Sequence, residues 1–215
     1  MSASQHSKPI VKNSTDNTTE PVFQVFQNVA IFGSADVNDS SPEYQQAYII
    51  AQLLADTGVR IVNGGGPGVM KAATLGAQSK NGRTLTVTFA PKDAPFFEGR
   101  LSDNLPDDEI KTDNYPDRML RLIRESDAFV ILRGGTGTLS EWATAWLMAH
   151  IYYGHHKPIV LVGDFWHEVI DVVQKHFFIA EQEVAVYRIV SEPEEVIPAL
   201  QELEQDLIDQ KTVLS

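Results

Sequence analysis

Apolar residues fall into two alternating rhythms along this chain. Short, nearly continuous apolar runs are followed by stretches in which apolar positions recur every three to four residues, the periods of buried strands and of helices with one buried face. The first run is NVAIFGS, Asn28 to Ser34. A helix is predicted from Pro42, with Ser41 as its cap, to a stop at Gly58; Tyr44, Ala47, Tyr48, Ala51, Leu54 and Ala55 recur at helical spacing within it. The second run, Val59 to Asn63, leads into GGGPG and a helix over Val69 to Ser79. The third, Thr84 to Phe89, is followed by a long polar connection, Ala90 to Asn114, and a helix over Tyr115 to Glu125. The fourth, Ala128 to Leu132, enters GGTGT and a helix over Thr138 to His150. The fifth starts at Pro158 and precedes a helix near Phe165 to Phe177; a last strand is predicted around Val186 to Val190 and a final helix near Pro193 to Asp209.

Strands that are apolar along their whole length are covered on both faces. The alternation therefore predicts an α/β fold, a Rossmann-like doubly wound parallel sheet with helices on both faces. Ligands in such folds bind beyond the carboxyl ends of the strands, near the point where the strand order reverses. The glycine-bearing turns after the first, second and fourth runs all fall at that edge. Residues Met1 to Glu20 are rich in Ser, Thr and Asn and are expected to form a flexible polar tail, leaving 21–215 as a single nucleotide-binding domain.

Composition narrows the partners. Lys plus Arg number 17 against 29 Asp plus Glu, a net charge of −12 that disfavours nucleic acid and anionic membranes but not a small anion held by backbone N–H groups. The absence of cysteine removes disulfides, thiolate metal sites and thiol nucleophiles. No apolar run is long enough to span a bilayer and the start lacks the apolar stretch of a signal peptide, so a cytoplasmic protein is expected. No metal site is expected: there is no H-E-x-x-H, and His155-His156 reads as a solvated loop.

Candidate chemistry lies in the glycine turns. Gly64, Gly65, Gly66 and Gly68 would let the backbone approach a ligand closely while the following helix offers unpaired N–H donors; Gly33 and Ser34 in the first turn share that edge. The spacing is neither a dinucleotide fingerprint nor a Walker A loop, and suits a nucleotide monophosphate or sugar phosphate better. The second turn, RGGTGTLSE, brings Arg133, Gly134, Gly135, Thr136, Gly137 and Thr138. Thr138 and Glu141 have the form of a capping box, in which Glu141 only closes the helix end; a carboxylate with a task beside a phosphate-binding loop is the competing reading. Trp142 and Trp146, four apart, are expected to pack against the sheet or a partner subunit, and Phe96 and Phe97 offer a base-stacking or lid element.

GGGPGVM followed by GGTGTLSE resembles the LOG-type family, formerly labelled lysine decarboxylases, whose characterised members are phosphoribohydrolases acting on cytokinin riboside 5′-monophosphates and, in some cases, AMP. The family's GGGxxGLM is matched by Gly64, Gly65, Gly66, Gly68 and Met70, with Val69 in place of Leu; its PGGxGTxxE is matched by Gly134, Gly135, Gly137, Thr138 and Glu141, with Arg133 in place of Pro. The resemblance covers roughly Val25 to Phe178. It implies Arg118, nine residues before Asp127, as the catalytic Arg beside Glu141, although the family's M-x-x-R-K reads Tyr115-Pro116-Asp117-Arg118-Met119 here. It further implies a homodimer, and release of a free base and ribose 5-phosphate from a nucleoside monophosphate without a cofactor. The old label is disfavoured: the only string suggesting pyridoxal phosphate chemistry, Gly154 to Lys157, lies at the amino end of a strand, opposite the binding edge. A nucleotide-binding or cofactor-carrying protein without turnover is the alternative, and a structural or interaction protein on the same scaffold a third.

Overall fold

The computed structural model describes residues 22–91, 97, 99 and 101–214; the expected N-terminal tail and Phe96 lie outside them. The chain runs β1 (Asn28–Phe32), α1 (Pro42–Asp56), β2 (Arg60–Asn63), α2 (Val69–Ser79), β3 (Thr84–Phe89), β4 (Asp108–Thr112), α3 (Tyr115–Glu125), β5 (Ala128–Ile131), α4 (Thr136–Ile151), β6 (Ile159–Val162), α5 (Phe165–His176), α6 (Glu181–Ala185), β7 (Tyr187–Val190) and α7 (Val196–Leu214). The strands form one seven-stranded sheet in the order β4-β3-β2-β1-β5-β6-β7, and every neighbouring pair is parallel. The order reverses between β1 and β5. The expected doubly wound sheet is thus present.

Alternate residues of each strand feed two cores. Val29 and Ile31 of β1 point with Ile61, Val130 and Val160 into a core closed by α1, α2 and α7. Ala30 and Phe32 point the other way, with Val62, Val87, Phe129 and Leu161, against α3, α4 and α5. The α1–α2 packing is close because Gly76 lacks a side chain: a Cβ there would stand 2.3 Å from the Tyr48 carbonyl oxygen. The segment before β1 is tied down by Glu204 of α7, whose buried carboxylate accepts the backbone N–H groups of Gln24, Val25 and Phe26 at 2.7–3.2 Å.

Several local expectations are corrected. β4 lies inside the stretch expected to be a plain polar connection. Its sequence, DEIKT, carries one apolar residue, because an edge strand pairs on one side and leaves its charged side chains in solvent. Ser41 occupies the N-cap of α1, but its hydroxyl accepts from the Asn38 N–H in the preceding loop and makes no bond to the helix. α4 begins at Thr136, with Gly135 as N-cap, two residues earlier than expected. His155 is exposed as expected of a solvated loop, but His156 is buried, stacked on Tyr153 with centroids 5.4 Å apart, and its Nδ1 accepts the Gly154 N–H. Lys157 donates to the carbonyls of Ile123 and Arg124, capping the C-terminus of α3. Trp142 and Trp146 pack within the core as a stacked pair 5.2 Å apart, joined by Trp166.

Gly76→Ala is expected to destabilise the chain by about 1–3 kcal/mol in urea unfolding, since backbone and not a flexible side chain meets the new methyl. Burial holds the His156 pKa down at about 4 against the usual 6.5, with Lys211 adding to the effect and Asp206 opposing it. Between those values the unfolded chain takes up a proton that the folded chain refuses. The neutral imidazole's contribution to stability is therefore complete above pH 6.5 and is lost as the pH falls toward 4. His156→Gln is expected to show a shallower acid-side fall in unfolding free energy, by up to about 3 kcal/mol between those limits. Parallel curves for the two proteins would contradict this.

Candidate functional site

The turns after β1, β2 and β5 meet at the carboxyl edge of the sheet and surround a cleft of about 820 Å³. Its wall brings together most of the candidate residues: Gly33, Ser34, Gly64, Met70, Arg118, Gly135, Thr136, Gly137, Thr138 and Glu141. The sequence reading did not single out Asp36, Tyr115 or Ser140, which also line it. The departure from the family pattern at Tyr115 was the available signal for that residue. Phe97 lines the cleft as an aromatic wall.

Arg118 is the most constrained of these groups. Asn114 caps α3 by accepting the Asp117 N–H, and α3 then carries Arg118 inward from its first turn. The side chain is only 3% exposed. Its Nε donates to the Val87 carbonyl of β3 and one Nη to the Gly64 carbonyl, both at 3.1 Å. Its Cζ lies 5.7 Å from the ring centroids of both Phe97 and Tyr115. The other Nη faces Glu141 Oε1 at 4.0 Å. Two carbonyl dipoles, two ring faces and a carboxylate thus replace the water that the guanidinium gives up.

Glu141, 8% exposed, comes from α4. With the helix starting at Thr136 it is the sixth helical residue, and no acidic residue lies in the first turn. The capping-box reading fails on this point, because Thr138 is inside the helix and not at its N-cap. The first closing bond of α4 runs from the Leu139 N–H to the Gly135 carbonyl, so the N–H groups of Thr136, Gly137 and Thr138 have no partner within the helix. They stand at the mouth of the cleft, with the hydroxyl-bearing Ser34, Thr136, Thr138 and Ser140 around them. Such a helix start suits an anion.

The other candidates lie elsewhere. Gly65, Gly66 and Gly68 are buried behind the cleft wall. The Gly65 N–H is engaged by the Asn63 side chain and the Gly66 N–H by the Met70 sulfur, while their carbonyls accept from Leu101 and Asn104. Gly68 has φ +61°, and a Cβ there would lie 2.3 Å from the Ser34 carbonyl oxygen. These glycines permit close packing of the turn and direct only Gly64 toward the cleft. Gly64 itself must lack a side chain, for its Cβ would fall 1.7 Å from the Arg118 guanidinium. Arg133 and Gly134 line a neighbouring annex of about 310 Å³ instead of the cleft. Among the described residues no group of three or more His, Cys, Asp or Glu side chains is placed to hold a metal, and no helix is long and apolar enough to cross a membrane.

A model of the SLOG cluster4 family matches residues 27–197. The chain belongs to this family. It is 35% identical over 119 residues to a cytokinin riboside 5′-monophosphate phosphoribohydrolase of Mycobacterium tuberculosis, a match spanning 55% of this chain and 61% of that protein. An uncharacterised protein of Archaeoglobus fulgidus is 30% identical over 135 residues, 63% of this chain and 83% of that one. Among solved structures, the molybdenum cofactor binding protein of the phototrophic bacterium Rippkaea orientalis superposes with a TM-score of 0.60 and 26% identity, over 82% of this chain and 96% of the other. The LOG-type resemblance read from the two glycine signatures is borne out by these SLOG matches.

The coupling of Gly64 to Arg118 is testable by a double-mutant cycle. Gly64→Ala is expected to cost about 2–4 kcal/mol, because the displaced guanidinium loses its carbonyl partners. In an Arg118→Leu background the same substitution should cost under about 1 kcal/mol. Equal costs in both backgrounds would show that the missing Cβ does not serve Arg118.

Proposed function

We propose that the chain hydrolyses the N-glycosidic bond of a nucleoside 5′-monophosphate, of the AMP or cytokinin riboside monophosphate type, to a free base and ribose 5-phosphate. One observation carries this reading: a buried carboxylate, Glu141, paired with an immobilised Arg118, stands in the same cleft as the open N-terminus of α4. The likeness to the Mycobacterium tuberculosis phosphoribohydrolase supports it.

The 5′-phosphate would sit on the N–H groups of Thr136, Gly137 and Thr138, where the helix end favours negative charge. Held there, it positions the ribose through contacts remote from the reacting bond. Cleavage passes through an oxocarbenium-like ribosyl centre, as in glycoside hydrolysis generally. The base leaves with the electrons of the C1′–N bond, water supplies oxygen to C1′, and a water proton ends on the base. Glu141, three residues beyond Thr138 and so on the same side of α4, faces the developing positive charge or orients the water. Arg118, whose Nε and one Nη are engaged by carbonyls, holds Glu141 in place through its charge and is not a phosphate ligand. Leu139, Leu147 and Ile151, exposed at four- and eight-residue spacings on α4, offer the expected homodimer an apolar face.

A second reading, carriage of a nucleotide or cofactor without turnover, takes its support from the likeness to the Rippkaea orientalis cofactor binding protein. The two part in one assay. On the hydrolytic reading AMP yields adenine and ribose 5-phosphate far faster than adenosine yields adenine and ribose. Glu141→Gln lowers turnover by roughly 10²–10⁴ while the variant still melts normally and binds AMP. Tight AMP binding with no product from the wild-type chain would favour carriage; near-wild-type turnover in Glu141→Gln would remove Glu141 from the chemistry.

A further inference from the structure

Arg133 stands where the family signature has proline, and the cleft chemistry above makes no use of it. It lines the annex with Ser34, Asp36, Val37, Glu43, Gly134 and Gly135. Three of these, Ser34, Asp36 and Gly135, also line the main cleft, so the two spaces share a wall. Both lie between the turns after β1 and β5, at the reversal of strand order. The guanidinium is held over the Phe165 ring, with Cζ 5.3 Å from the centroid. Among the described residues no carboxylate lies within 4.0 Å of it, although Asp36 and Glu43 border the same annex in a chain of net charge −12.

We infer that the annex receives a second phosphoryl group held by Arg133, so that the ligands of this cleft extend to nucleoside 5′-diphosphates. The inference rests on the proposed nucleotide-binding reading of the cleft and names a further ligand class for it. A phosphate at the N-terminus of α4 lies beside Gly135, which borders both spaces, and the next phosphoryl group along the chain reaches the annex. There Arg133 offers a planar fork of N–H donors, the geometry that suits phosphate oxygens. Phe165 fixes the side chain in advance and so lowers the ordering cost of binding. The two carboxylates do not cancel this site. Glu43 lies in the first turn of α1, where the helix end favours its charge. Asp36 lies on the wall shared with the main cleft.

The test is isothermal titration of the full chain carrying Glu141→Gln, which keeps the titrant from being hydrolysed, with AMP and with ADP, at one low ionic strength and without divalent metal. This protein is expected to bind ADP about tenfold more tightly than AMP, the scale of one charge-assisted contact partly open to solvent. In Arg133→Gln the ratio falls close to one, and in Phe165→Leu, which frees the guanidinium, it falls part of the way. AMP binding with no ADP advantage, or an advantage that survives Arg133→Gln, overturns this inference alone. Binding of neither nucleotide overturns the proposed function and this inference with it.

Discussion

Arg118 places a permanent positive charge where almost no water reaches it, and much of the surrounding structure follows from that constraint. A guanidinium cannot shed its charge, so each N–H taken from solvent needs an acceptor in the protein. β3 supplies the Val87 carbonyl and the turn after β2 supplies that of Gly64. Gly64 lacks a Cβ because the guanidinium occupies that space. Phe97 and Tyr115 cover the cation with ring faces, and Glu141 balances it from across the cleft. Elements distant in the chain are thereby tied to one side chain.

The same constraint divides the work of the site. An arginine engaged by two main-chain carbonyls makes a poor phosphate clamp, since reaching a phosphate would leave those carbonyls unpaired in a buried place. In the proposed function anion binding falls to the α4 helix start, where three N–H groups have no partner in the helix and no acidic side chain occupies the first turn. Glu141, two residues beyond the first closing bond of α4, is on that proposal the reacting-end group, with Arg118 beside it. Arg133 lies outside this arrangement, held over the Phe165 ring on the wall of the annex.

Much of this was legible in the sequence because burial leaves a periodic mark. β3 and the ranges of α2 and α3 agree with the pattern of apolar residues to the residue. β4 escaped because an edge strand has little to bury, and only Ile110 hinted at it. The pair Arg118 and Glu141 was legible through the family signatures, yet the purpose of the glycines was not. A run of glycines announces close approach without saying to what, and here Gly65, Gly66 and Gly68 approach protein while Gly64 alone borders the cleft. The capping-box form of Thr138 and Glu141 left two readings open for a related reason: the cap is Gly135, a residue with no side chain to advertise it.

In the proposed complex phosphate is held by the start of α4 while Arg118 remains with the carbonyls and Glu141. A crystal structure of the chain with bound AMP tests this directly. Phosphate oxygens are expected within hydrogen-bond distance of the Thr136, Gly137 and Thr138 N–H groups, with Arg118 still on Val87 and Gly64 and the ribose C1′ facing Glu141. A guanidinium swung away from Val87 and Gly64 onto the phosphate, or a phosphate bound away from α4, would contradict it.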